Sequence, residues 1–400
     1  MEQNHLLLPV LAAYLHGETC DDLFSSFSET DWDSFLNLAW QHMVLPVVCL
    51  QVRSLPSFAA YAKKEQVRRG AMRMAAKQAM RTQTLLQLLP RLEEAGVRYA
   101  VLKGLVCRGL YREPELRISS DEDLFVPAKD KAACIAVLEN EDYRREKPED
   151  DEAWRSPEGI LKIEISFGKL FPQQGELFAV LNRAFAPVMT ERVSFSVLET
   201  ELKTFPATEH MLYLLAHALK HFVHSGFGIR QLMDIAAFAK AHGAEIDWPR
   251  LFLRLEEARA AVFAKSLFAL CRDIFRLDTA ACGLDKIGPL PKEADSLLAD
   301  ILDAGVYGQS SSGRLHSSNV TLHAAGRQKH PFLRTCFPPG ETMEKQYPYA
   351  RYRILLPVAW AQRALRYVKE RKKDKKAGHA EGSAAIGQRR LELMREYGIL

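Results

Sequence analysis

The chain has 400 residues, a formal net charge of +4, and 48% hydrophobic and 26% charged residues. That length can bury a sizeable core and exceeds one average domain, and the composition is that of an ordinary globular protein, which excludes a disordered or fibrous chain. The small positive charge makes no strong demand for nucleic acid, and no apolar run is long enough to span a bilayer.

Met1-Glu2-Gln3-Asn4-His5, ahead of Leu6-Leu7-Leu8-Pro9-Val10-Leu11, lacks the basic n-region of a signal peptide. Seven cysteines with no CxxC spacing read as reduced core residues, so a cytoplasmic location is expected. Residues 1–96 read as a helical region. Asp31-Trp32-Asp33 suits a helix start, with acids at the positive end, and His42 on that helix reads as a half-buried histidine bonded to backbone. Ala59–Ala95 is rich in helix formers, with Pro90 expected to kink or split it and Gly96 to end it. Its basic residues Lys63, Lys64, Arg68, Arg69, Arg73 and Lys77 read as a solvated face.

An α/β region is expected over 97–205. The pattern predicts a strand at 97–103, a helix at 104–112, a strand at 123–126, a helix at 128–140, a short strand near Tyr143 and a strand at 161–167. Val193–Leu198 is a further strand with period two. Glu146–Glu152, with five acids and a proline, reads as an exposed loop without the fixed geometry a metal site needs. The sheet is therefore small and mixed, with helices interleaved.

The chemistry-bearing stretch is Arg117-Ile118-Ser119-Ser120-Asp121-Glu122-Asp123-Leu124-Phe125-Val126. Asp121 and Asp123 share a face if this segment is extended. Two converging carboxylates suit Mg²⁺, which takes oxygen ligands and leaves room for phosphate oxygens. Upstream, Lys103-Gly104 forms a strand-to-helix turn, where a glycine lets backbone N–H groups approach an anion. Downstream, Glu164 lies between Ile163 and Ile165 in an alternating strand. A carboxylate there is costly to bury without a partner, so Glu164 either lies on the solvent face of an edge strand or belongs to a site of converging acids, the preferred reading.

A helical region follows over 206–305. Ala207–Phe222 is a strongly predicted helix after Pro206, with His210, Tyr213, His217, Lys220, His221 and His224 along one edge. His217 and His221 at i,i+4 could bind a transition metal, but no matching ligand or HExxH pattern accompanies them. A polar edge facing the carboxylate cleft is the preferred reading. Arg230 and Asp234 stand one turn apart and can pair, either as a surface i,i+4 pair or as substrate contacts. Trp248–Ala258, Ala260–Phe275 and Lys292–Ala304 read as amphipathic helices. Over 306–400 the pattern gives a polar loop from Gly308 to Lys329 and aromatic- and proline-rich segments from Phe337 to Trp360. A basic run at Arg366–Lys376, read as a solvated charge run, a linker at Ala377–Gly382 and a last helix follow.

These motifs resemble the nucleotidyltransferase superfamily with the DNA polymerase β type of palm, and more closely a bacterial group of uncharacterised nucleotidyltransferases. The resemblance is carried by Leu102-Lys103-Gly104, Arg117, Asp121-x-Asp123, the lone Glu164 and the Arg230-x-x-x-Asp234 pattern, and extends over most of the chain. It departs from the wider superfamily in having Lys-Gly at the turn, a long gap from Gly104 to Asp121, and Glu as third acid.

The resemblance implies an α+β fold: a small mixed nucleotidyltransferase-type sheet with flanking helices, an N-terminal helical region and a C-terminal helical domain. It also implies transfer of NMP from an NTP to a hydroxyl of a small molecule, peptide or protein. Asp121, Asp123 and Glu164 would be catalytic residues holding Mg²⁺, or Mn²⁺ in its place. Lys103, Gly104, Arg117, Ser119, Ser120, His217, Lys220, Arg230 and Asp234 would contact the nucleotide. A non-catalytic nucleotide-binding scaffold and an Asp-x-Asp glycosyltransferase are the alternatives.

Overall fold

The computed structural model describes residues 4–171, 176–185, 192–304, 321, 340–344, 347–376 and 383–400. Helices α1 (Asn4–His16), α2 (Glu29–Gln41), α3 (Leu45–Val52) and α4 (Pro56–Ala60) precede a long α5 (Lys64–Glu94). Helix α2 starts before Asp31 because Ser28 and Asp31 cap it reciprocally, Asp31 N–H donating to Ser28 Oγ at 3.3 Å and Ser28 N–H to Asp31 Oδ2 at 3.0 Å. His42, just past its end, is fully buried rather than half-buried. It accepts from Ile229 N–H at Nδ1 (3.3 Å) and donates from Nε2 to Leu302 O (3.2 Å), and burial pushes its pKa down to about 4, so it stays neutral.

Helix α5 has 31 residues, a length of about 46 Å at 1.5 Å per residue. Pro90 does not split it; the helix runs on to Glu94. The stop is at Gly96, whose φ of +70° permits the paired bonds Gly96 N–H to Glu93 O and Val97 N–H to Leu92 O. Arg68, Arg69, Arg73 and Lys77 in its first half are exposed, and Lys63, just ahead of the helix, pairs with Asp33 at 2.7 Å.

A five-stranded sheet follows: β1 (Ala100–Leu102), β2 (Glu122–Val126), β3 (Arg144–Arg145), β4 (Ala153–Arg155) and β5 (Lys162–Phe167), in the order β1-β2-β5-β4-β3. Only the β2–β5 pair is parallel. Two short helices serve it, α6 (Gly104–Arg108) between β1 and β2 and α7 (Lys131–Asn140) after β2. Helix α8 (Glu176–Phe185) and a separate hairpin, β6 (Val193–Val197) with β7 (Thr200–Thr204), complete this part. Sequence pattern missed β4, β7 and α8. Strand β4 is three residues long and β7 carries four polar residues in five, so neither shows a hydrophobic period.

Helices α9 (Ala207–His224), α10 (Ile229–His242), α11 (Trp248–Glu257), α12 (Ala261–Phe275) and α13 (Asp295–Ala304) come next. One hydrophobic cluster runs from Leu6 to Ile301 and also takes in Leu393, Met394, Tyr397 and Ile399. Farther along the chain come α14 (Gly340–Glu344), α15 (Leu356–Lys376) and α16 (Ser383–Glu396). Helix α16 returns to the body: buried Arg390 donates to Phe222 O and to His224 O (2.8 Å), capping the C-terminal carbonyls of α9. The expected loop from Gly308 to Lys329 lies outside the described residues apart from Thr321, and the expected linker at Ala377–Gly382 lies wholly outside them. Cys336 is outside as well; the other six cysteines are buried.

Candidate active site

Strand alternation sorts the acids at β2. Asp121, just before the strand, and Asp123 share one face, and Glu122 takes the other. Asp123 lies directly beside Glu164 in the parallel β2–β5 register. The carboxylates of Asp123 and Glu164 therefore emerge side by side on one face of the sheet, with Asp121 at its mouth. Lys103 joins them from the end of β1, and its ammonium points into the site. Nζ is 2.9 Å from Asp123 Oδ2 and 2.9 Å from His217 Nε2. Its backbone has φ +28°, a strained conformation for a residue with a side chain, at the junction of β1 and α6. Lys162 Nζ sits 2.7 Å from Glu164 Oε1, on a side chain 40% exposed.

Helix α9 covers this face. Tyr213, His217 and Lys220 line a cavity of about 180 Å³ together with Asp123, Glu164 and the apolar wall of Ile165, Leu170 and Phe171. Asp150 and Glu152, from the acidic loop, line the same cavity. A smaller cavity of about 20 Å³ adjoins Lys103, Arg117, Ser119, Asp121, Arg230 and Asp234, and His217 borders both. His210 and His224 line neither. His210 is stacked on Phe238 and hydrogen-bonded to Thr204, a structural role at the far end of α9.

Burial and mutual repulsion set the charges. Asp123 is pushed up to about 7, first by burial and then by Asp121 and Glu164, against the pull of Lys103. Asp121 is also desolvated, but Lys103, Lys162 and Arg230 outweigh burial and hold it below the usual carboxylate range. The two titrate as a pair in which one proton leaves readily and the second is retained. Burial, then Lys103 and His221, keep His217 neutral, and its Nε2 is 3.1 Å from that of His221. Lys220 is lowered by burial and by Lys103, with Asp123, Glu164 and Asp121 acting the other way.

Among the described residues no three His, Cys, Asp or Glu side chains stand together closely enough to enclose a metal ion. The reason at the acids is visible: Lys103 and Lys162 draw Asp123 and Glu164 onto ammonium groups. His217 and His221 turn their ring nitrogens toward each other and Lys103.

Other expected partners rearrange. Arg230 and Asp234 do not pair with each other. Asp234 accepts from Arg117 at both oxygens, Nε to Oδ1 at 3.1 Å and NH2 to Oδ2 at 2.6 Å, and from Tyr111 Oη at 3.0 Å. Arg117 and Asp234 are both buried, and Asp234 raises Arg117 despite the opposing effect of burial. Arg230 donates to Ile118 O. Ser120 Oγ donates to Asp121 Oδ1 at 3.2 Å, whereas the Ser119 hydroxyl is engaged with Glu122 at 2.6 Å.

Sequence reasoning passed over Glu122. It is fully buried on the back of β2, where Arg108 from α6 pairs with it, Ser119 donates to it and Gln78 from α5 lies 3.5 Å away. The signal was available: an acid between two aspartates of a strand must face the opposite side, here the interior. It explains Gly104, because a Cβ there would stand 2.3 Å from Glu122 Oε2. Gly104→Ala is expected to cost about 1–3 kcal/mol, since the carboxylate it would displace is pinned on several sides; a shift of the urea midpoint without a change in slope would measure it.

No curated protein and no solved structure matches the chain. A family model does: it covers residues 28–276, from the cap of α2 to the end of α12, and so takes in every residue of both cavities. The chain, with its paired aspartates beside an in-register glutamate, belongs to the uncharacterised nucleotidyltransferase family.

Proposed function

We propose that the protein moves a nucleoside monophosphate from an NTP to a hydroxyl of a small-molecule, peptide or protein acceptor, in a Mg²⁺-dependent reaction. The observation that carries this reading is the register that sets Asp123 beside Glu164 on the cavity face, with Asp121 next to them. The donor chemistry suits a hard cation: three carboxylates at one end of the β2–β5 pair, which Lys103 and Lys162 must release before they could converge on it, one of them pushed up to about 7 by burial and by the other two. Asp121, Asp123 and Glu164 would hold Mg²⁺, or Mn²⁺, which when bound supplies charge stabilisation to the phosphates.

The side chains do the rest. The acceptor oxygen attacks the α-phosphorus in line, pyrophosphate leaves with the electrons of the broken P–O bond, and the hydroxyl proton passes to the Glu164 carboxylate. Lys220 and Arg230 face phosphate oxygens from α9 and α10. Arg117 is committed to Asp234 and acts by locking α10 against the segment leading into β2. Lys103, released from Asp123, keeps its place against His217.

Calorimetry with ATP, GTP, CTP and UTP, with and without Mg²⁺, tests the reading on wild type and on Asp121→Asn/Asp123→Asn. Binding is expected to need Mg²⁺ and to vanish in the double variant. A non-catalytic scaffold has one observation in its favour, the lysines already neutralising Asp123 and Glu164. That reading expects a triphosphate to bind equally well without the metal.

A pH dependence follows from Asp123. Its native pKa lies above its unfolded one, so the proton is held up to about pH 7 and must leave before a cation is taken. Mg²⁺-dependent nucleotide affinity is therefore expected to rise by up to about tenfold per pH unit below 7 and to level off above it. A titration of Asp123→Asn by calorimetry should lose that slope.

A further inference from the structure

The C-terminal segment presents a surface that the reaction above does not use. Met343, Ala350 and Ala359 form a small core of their own with Tyr347, Tyr349, Leu356 and Trp360. That core fixes the start of α15 with Ala359 inward. The opposite face is bare: Ile354 is 86% exposed, Leu365 71% and Val358 49%. With exposed Ala361 they fall at i, i+4, i+7 and i+11, a single stripe along the helix and the turn that leads into it. Tyr352, also exposed, stands at its head.

Charge accompanies the stripe. Arg351–Lys376 contains ten Arg and Lys and two acids, a net charge of +8 in a chain whose total is +4, so the other residues sum to −4. The first acid in this segment is Glu370, and the lysine-rich run ends with the helix at Lys376.

We propose that α15 and the turn before it dock the protein on an anionic lipid surface. The helix would lie in the headgroup plane, with Ile354, Val358 and Leu365 entering the acyl boundary and the net positive charge of the segment drawing it to lipid phosphates. Interfacial helices combine these two elements, an aliphatic stripe and adjacent Lys/Arg, and each strengthens the other. A polynucleotide would use the cations but has no use for a bare aliphatic stripe. The proposal concerns surface association; among the described residues no helix is long and apolar enough to cross a membrane.

The test is flotation of the full-length protein with vesicles of phosphatidylcholine alone or mixed in equal parts with phosphatidylglycerol. The wild type is expected to float with the anionic vesicles and not with the neutral ones. Ile354→Asp/Leu365→Asp and, separately, Lys372→Glu/Lys373→Glu should each lower the bound fraction at least about tenfold, with thermal melting unchanged. Absence of wild-type binding to anionic vesicles overturns the proposal. So does binding that survives Ile354→Asp/Leu365→Asp and is competed by RNA, which would make the basic run a general polyanion site. Should the aspartate variant melt early, the lysine variant, which leaves the stripe intact, decides the outcome.

Discussion

Arg108→Met is expected to destabilise the protein by about 3–5 kcal/mol. The Arg108 and Glu122 side chains are 0% and 1% exposed, so removing the guanidinium leaves a carboxylate in the interior without its counter-charge. Ser119 and Gln78 can satisfy part of Glu122 but cannot neutralise it. In the wild type, burial raises the Glu122 pKa, yet Arg108 and Ser119 outweigh it and hold the group below its ordinary range. The pair therefore contributes stability above the unfolded carboxylate pKa and loses it as pH falls through the lowered native value. In Arg108→Met the sign reverses: burial lifts the native pKa of Glu122, and the deficit shrinks as acid protonates it. Denaturant midpoints for both proteins across mildly acidic to neutral pH would show the gap narrowing. A gap that stayed constant would mean the loss came from packing rather than charge. Glu122→Leu combined with Arg108→Met should recover much of the stability, because a buried ion pair replaced on both sides is close to neutral.

Glu164→Gln is expected to leave stability nearly unchanged and to reduce turnover by about 10²–10⁴-fold, the range for losing a general base. The side chain is 40% exposed and its partner Lys162 is also partly solvated, so their pair carries little stability. Because the acceptor need not be known, the readout is Mg²⁺-dependent release of labelled NMP from an α-labelled NTP with water as acceptor. Nucleotide affinity should fall far less than rate, which separates this variant from Asp121→Asn/Asp123→Asn. Equal loss of both would place Glu164 in binding rather than proton transfer.

Much of the backbone was legible locally. The helices of residues 1–96, the strands carrying Asp123 and Glu164, and helix α9 each have a period or a cap that neighbours in sequence supply. Gly96 ended α5 for a reason visible in sequence, the left-handed backbone a helix stop requires. The lone acid in the β5 pattern stood out because a carboxylate between isoleucines is costly anywhere. What sequence could not decide was which long charged side chain meets which. Arg117 reaches an aspartate 117 positions away, and Lys103 reaches both Asp123 and a histidine 114 positions away. Asp150 and Glu152, read as solvent-facing, return to the cavity because β4 pairs with β5 and carries their loop to the edge of the acids. Period and propensity determine which face of an element a residue occupies. The partner across that face depends on how the elements pack, and long, flexible, charged side chains can reach several candidates until packing excludes all but one.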